Sequence, residues 1–131
     1  MYTRKETRSI MVRGIPIGGG NPVTVQSMTN TDTRNVTETV EQIRQLASAG
    51  CDMVRIAVPD RDAAEALHKI RREIDVPLIA DIHFNHKLAL LALEAGIDKL
   101  RINPGNIGST RRVREVARAA SEHNVPIRVG I

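Results

Sequence analysis

Three arginines stand at matching places in short apolar runs: Arg55 in MVRIAV, Arg101 in KLRIN and Arg128 in PIRVGI. The first two belong to a repeated phrase, Ala-Gly-x-Asp-x-apolar-Arg-Ile, whose copies lie 46 residues apart (Gly50 and Gly96). Side chains alternate along a strand, so residues i and i+2 share a face. By that parity Arg101 shares a face with Asn103, Asp81 with His83, Arg55 with Ala57 and Arg128 with Gly130. All lie toward the C-terminal ends of their runs. Guanidinium groups match phosphate oxygens two at a time, so three of them converging predict a phosphate-binding mouth. They cannot all be dry and unpaired. Each uncompensated buried charge costs several kcal/mol, against a total domain stability of about 5–15 kcal/mol. They must meet water, carboxylates or an anionic ligand. The competing reading is a layer of interior salt bridges, in which Asp81 and other carboxylates absorb the arginines.

The stretch after Arg101, Asn-Pro-Gly-Asn-Ile-Gly, adds backbone donors. Gly105 and Gly108 let the chain approach a ligand closely, and Ser109 opens a helix whose N-terminus favours anions. His83 either faces the mouth or caps the next helix. His68, His86 and His123 fall on or beside helices and read as surface residues. QSMTNTDT, residues 26–33, is either a ligand-contacting loop through Gln26, Thr29 or Asn30, or an ordinary polar connection. Asp52 and Asp98 belong to turns between helix and strand. Cys51 reads as a packing residue at the end opposite the mouth.

Placing these side chains requires alternating strands and helices. The strands are predicted at Pro22–Met28, Met53–Val58, Pro77–Ile82, Lys99–Asn103 and from Pro126 to Ile131, where the sequence is still in a strand. A helix over Val36–Ala49 buries Val40, Ile43, Leu46 and Ala47, and Gly50 ends it. Asp60 caps a helix burying Ala63, Leu67 and Ile70. His86–Ala95 is apolar nearly all round and reads as well buried. Ser109 or Thr110 caps a helix with an inner stripe of Val113, Val116, Ala117 and Ala120. Ahead of these, Ser9–Gly20 reads as a small β-hairpin around Arg13-Gly14, suited to cover one end of a barrel. Val-Pro precedes a strand twice, 49 residues apart (Pro77 and Pro126). The repeating unit is therefore two βα modules. That regularity predicts part of a (β/α)8 barrel, its first five strands and four helices, rather than a doubly wound sheet. A whole barrel takes roughly 250 residues, so the 131 residues here read as the front part of a longer protein.

Bulk composition excludes several classes. Hydrophobic content of 41% and charged content of 26% are ordinary for a globular protein. No window reaches the ~18–20 apolar residues of a membrane span, and the N-terminus lacks the apolar core of a secretory signal. One cysteine rules out an internal disulfide and suits a cytoplasmic setting. Four scattered histidines and one cysteine give no zinc spacing. A net charge of +4 favours an anionic ligand. Nucleic acid fits poorly, since single-strand readers stack bases on aromatic rings and only Tyr2 and Phe84 are available.

Taken in order, VTVQSMTNTDT, AGCDMVRIAVPD, PLIADIHF, KLRINPGNIG and VPIRVGI resemble the 4-hydroxy-3-methylbut-2-enyl diphosphate synthase family, and the resemblance runs over nearly the whole chain. It implies a TIM barrel that binds 2-C-methyl-D-erythritol 2,4-cyclodiphosphate and opens its ring reductively, in the non-mevalonate route to isoprenoids. It makes Arg55, Arg101 and Arg128 the diphosphate ligands, with Asp81, His83 and Asn103 lining the same pocket and Asn106 as a further candidate. It also implies ferredoxin or flavodoxin as electron donor and a homodimer. The family's 4Fe-4S cluster sits on three cysteines and a glutamate in a C-terminal domain, and those ligands are not in this sequence. The expectation is thus a substrate-binding part that is inactive alone. The alternatives are another phosphate- or pterin-handling barrel, such as a dihydropteroate synthase-like enzyme, and a non-catalytic anion binder.

Overall fold

Two sets of apolar side chains, one on each face of a parallel sheet, organise the molecule. The structure is a computed structural model and describes residues 3 and 5–131. Tyr2, and part of the N-terminal run read for an export signal, lie outside the described residues. A hairpin of β1 (Ile10–Val12) and β2 (Ile15–Ile17) comes first. Then follow β3 (Gln26–Met28), α1 (Val36–Ser48), β4 (Met53–Ala57), α2 (Arg61–Glu73), β5 (Leu78–Ile82) and α3 (His86–Glu94). The chain continues through β6 (Lys99–Ile102), α4 (Pro104–Ile107), α5 (Thr110–Glu122) and β7 (Ile127–Val129). Strands β3 to β7 form one five-stranded sheet, parallel throughout and in sequence order. No strand order reverses, so the sheet has no switch point and curves as a barrel segment does.

Alternation along each strand separates the two cores. Val54, Ile56, Leu78, Ala80, Ile82, Leu100 and Ile102 point outward and pack on Ile43, Leu67, Ile70, Leu93 and Val116 of the helices. Met53 and Ile79 point inward at the strand starts and pack on Val12, Ile15 and Ile17 of the hairpin. The hairpin therefore closes the N-terminal end of the barrel segment, as its sequence suggests. Its turn takes positive φ at Arg13 (45°) and Gly14 (79°), the backbone of a tight two-residue connection. Helix α1 starts on the Asn35 side chain, α2 on Asp60 and α5 on Ser109. Gly50 and Gly96 follow α1 and α3 at φ of 108° and 90°, beyond caps at Ala49 and Ala95.

Several expectations need correction. The first sheet strand is only Gln26–Met28, not Pro22–Met28. Pro22 has no N–H, and the Val25 N–H is taken by the Asp52 carboxylate at 2.7 Å, so the ladder starts late. β6 stops at Ile102, because Asn103 caps the one-turn helix α4, which replaces the expected open loop. β7 covers Ile127–Val129 only. Ala47 and Ala117 are exposed rather than part of their inner stripes. Cys51 is half-buried against the helix-side core, a packing role as read from its position.

Candidate functional site: a cationic mouth

The repeated arginines sit where the register brings them level. Arg55 pairs with Ile79, and Ile79 with Lys99, so Arg101 lies two residues beyond the row of Arg55. In an eight-stranded barrel of shear 8, a layer of side chains climbs about one residue per strand and draws on alternate strands. Arg55 and Arg101 thus occupy one layer. The two-module repeat in the sequence is the alternate-strand layering of the barrel.

Between them, on β5, stands Asp81, fully buried. Its Oδ2 is 3.0 Å from Arg55 Nη2, and its Oδ1 is 3.4 Å from Arg101 Nη1. His83 Nε2 is 3.5 Å from Oδ2. The arginine side chains keep 27% and 21% of their exposure, so each guanidinium reaches solvent while one edge faces the carboxylate. Asp81 Oδ2 and Arg55 Nε are buried yet make no aligned hydrogen bond among the described residues. Neutral pairing would need one carboxylate per arginine. Here one carboxylate serves two, and the surplus positive charge faces the mouth. Of the two readings the sequence left open, a salt-bridge layer or an anion site, the geometry shows the ion pairs of the first, made by guanidinium groups that also reach solvent.

Arg128 is the direct register partner of Arg101, and its exposed side chain forms no ion pair among the described residues. Gly130 stands two residues on, where an added Cβ would overlap the Arg101 guanidinium. The absence of a side chain at Gly130 is what gives that guanidinium its place. Asn103 comes to the same strand end, but its Oδ1 already accepts the Gly105 N–H at 3.0 Å, so it acts as a cap. Asn106 lies exposed on α4, and no hydrogen bond or ion pair joins its side chain to the cluster. His83 is not a helix cap: Asn85 Oδ1 caps α3 by accepting the Lys87 N–H at 2.9 Å.

In the loop after β3, Asn30 and Thr33 are tied to the scaffold, whereas the buried Thr29 Oγ1 has no hydrogen-bond partner among the described residues. Asn30 exchanges hydrogen bonds with Gln42 (2.9 and 2.6 Å), and the Thr33 hydroxyl donates to the Ala57 carbonyl at 2.6 Å. His86, expected at the surface, is 12% exposed and lies 3.5 Å from Glu115 of α5. Sequence reasoning missed Lys99, buried on the inner face two residues before Arg101; its parity with Arg101 was the available signal. It also missed the latching role of Asp52 and Asp98. Asp98 Oδ2 accepts the Leu78 N–H at 2.8 Å and pairs with Arg71 at 2.6 Å, while Oδ1 is 3.5 Å from Arg13. Burial pushes the Arg71 guanidinium below its ordinary value, and Asp98 opposes that shift.

Among the described residues no three His, Cys, Asp or Glu side chains group as metal ligands. The single cysteine, Cys51, lies two residues before β4, at the end opposite the mouth. These residues do not fit an iron–sulfur cluster. No described helix is long and apolar enough to cross a membrane.

Parallel strands in sequence order, helices outside and cationic side chains on the inner face of the sheet define a TIM-barrel domain with a cationic interior. The chain belongs to the family described as GcpE TIM-barrel domain, which matches residues 7–131. It is 60% identical over 98% of its length to a protein of Nitratidesulfovibrio vulgaris, and 57% identical over its whole length to one of Thermodesulfovibrio yellowstonii. Both are named 4-hydroxy-3-methylbut-2-en-1-yl diphosphate synthase (flavodoxin). The chain spans 33% and 38% of these curated relatives, about a third of their length. Among solved structures it is similar to the dihydropteroate synthase of Yersinia pestis, with a TM-score of 0.67 and 16% identity over 91% of this chain and 44% of that one. It is also similar to a mandelate oxidase, with a TM-score of 0.62 and 12% identity over 100% and 64%. At such identities the likeness establishes the fold alone.

Proposed function

We propose that this chain is the substrate-binding part of an oxidoreductase that opens 2-C-methyl-D-erythritol 2,4-cyclodiphosphate to 4-hydroxy-3-methylbut-2-enyl diphosphate in isoprenoid biosynthesis. The reaction consumes two electrons and two protons and releases water. The observation that carries the reading is the pair Arg55 and Arg101, level with each other and sharing one buried carboxylate, in a chain whose close relatives bear that synthase name. The paired forks suit a diphosphate, since each presents two N–H donors to phosphate oxygens. Asp81 acts as a positioning residue: its fixed carboxylate orients both guanidinium groups before the ligand arrives, which lowers the ordering cost of binding. Arg128 reaches the same mouth from β7, and His83 borders it. Asn103 and Asn106 shape the loop beside it.

In this reading the chain binds and orients the cyclodiphosphate but supplies no electrons. Flavodoxin, which the relatives' names mention, is the donor, or a ferredoxin in its place. In the same reading a 4Fe-4S cluster and its ligands belong outside these residues and the working assembly is a cytoplasmic homodimer; the relatives' greater length, of which the chain spans 33% and 38%, leaves room for such a part. The test is calorimetric titration of the cyclodiphosphate into the chain, with orthophosphate and Arg101→Ala as controls. The expected result is saturable binding, stronger than that of orthophosphate and lost in the variant. No binding by a folded chain would overturn the assignment of the grip to these strands. Turnover by the chain alone would overturn the division of labour.

A further inference from the structure

Charge is not evenly compensated across the mouth. Arg55 and Arg101 share Asp81, whereas the cations toward β7 have no such partner. Lys99 is 7% exposed on the inner face of β6, and among the described residues no carboxylate pairs with it. Burial and the like charge of Arg128 hold its ammonium group below the ordinary lysine value. The other charged groups on its own and neighbouring strands are Arg101, Asp81 on β5 (already held by two arginines) and Arg55 on β4. A buried cation without a partner is costly, and a second cation beside it raises the cost. By the same stagger Lys99 is level with Met53, one layer below Arg101; two residues on a parallel strand are about 6.6 Å apart, and the four-carbon stem of lysine covers most of that rise toward Arg101.

We propose that Lys99 is a further anion-binding residue, forming with Arg128 a second cationic pair on the β6–β7 side of the mouth. This pair takes one phosphoryl group while Arg55 and Arg101 grip the other. The proposal rests on the diphosphate reading of the mouth and extends it. Arg55, Arg101 and Asp81 leave one positive charge, and Lys99 with Arg128 adds two, a total suited to a diphosphate anion. Lys99 then has its counter-charge only when ligand is bound.

The probe is inorganic pyrophosphate, titrated calorimetrically into the chain at neutral and alkaline pH in two buffers of different ionisation enthalpy. The samples are the parent, Lys99→Met, Lys99→Arg, Arg101→Ala and the surface control Lys69→Met, each checked for folding by circular dichroism. Removing a charged contact in a half-buried site should weaken binding about tenfold or more in Lys99→Met, with Lys99→Arg close to the parent and Lys69→Met unchanged. Bound anion favours the charged lysine, so at alkaline pH the parent should take up more protons on binding than Lys99→Met. If Lys99→Met binds like the parent with the same proton uptake, while Arg101→Ala loses binding, Lys99 has no such role and the diphosphate mouth stands. If Lys99→Met does not fold, Lys99→Arg decides. Its charge is permanent, so the extra proton uptake must vanish while affinity persists, and continued uptake overturns the proposal. A folded parent that does not bind pyrophosphate overturns both the mouth and the role of Lys99.

Discussion

A methyl group added to Gly130 would occupy the space of the Arg101 guanidinium. The backbone there is not in the left-handed region, so alanine fits the strand, and the group that must give way is the end of a flexible side chain. Gly130→Ala should therefore change stability by only about 0.5 kcal/mol, yet displace the Arg101 guanidinium, one fork of the proposed diphosphate grip. The expected outcome is an unchanged denaturant midpoint with affinity for the cyclodiphosphate reduced about tenfold. A clear loss of stability with binding intact would refute it. At this scale the sequence was partly legible. Strand parity was enough to put Arg55, Arg101, Asp81 and His83 on one face, with Arg128 in register beside Arg101, because it needs only the period of two. It could not tell that Asp81 serves both arginines, since that depends on register between three strands. Nor did it single out Lys99, whose charge hides its burial from any reading based on polarity.

Helices and strands followed the pattern of their residues wherever a periodic face or a cap was present. Asn35, Asp60 and Ser109 each precede an amphipathic run, and all three cap helices. The misses fall where a side chain overrides the backbone ladder. Asp52 intercepts the Val25 N–H and shortens β3, and Asn103 turns the end of a strand into the start of α4. The two aspartates of the repeat latch neighbouring strands with unequal loads. Asp52 is exposed and holds one backbone N–H, while Asp98 is 10% exposed and holds Leu78, Arg71 and Arg13 together. Asp98→Ala should cost about 3 kcal/mol, because it strands a buried arginine. Asp52→Ala should cost about 1 kcal/mol. Urea denaturation of the two variants checks this, and equal losses would show that the Arg71 pair carries little of the load.

As a whole, the described molecule presents a five-stranded sheet whose outer strands, β3 and β7, each have one neighbour. Val23, Val25 and Met28 are exposed at one edge, and Val129 is 64% exposed at the other. Unpaired edges with apolar side chains recruit further strands. The chain alone should therefore self-associate as its concentration rises, and Val25→Lys with Val129→Lys should suppress this in sedimentation or light-scattering measurements. A concentration-independent monomer with a sharp unfolding transition would refute the prediction. The barrel class was legible at this scale because strands in sequence order follow from the regular alternation, whereas closure of the N-terminal end rests on packing between Val12, Met53 and Ile79. The repeat has one more implication. Each copy carries its anchor, Asp52 or Asp98, at one end of a strand and its working cation, Arg55 or Arg101, three residues later toward the other. The stagger of the sheet brings both arginines to the same carboxylate, Asp81, from strands that are not neighbours. The spacing keeps the two tasks of each unit apart: a change at Asp52 or Asp98 falls on the latch between strands, and a change at Arg55 or Arg101 on the charge of the interior.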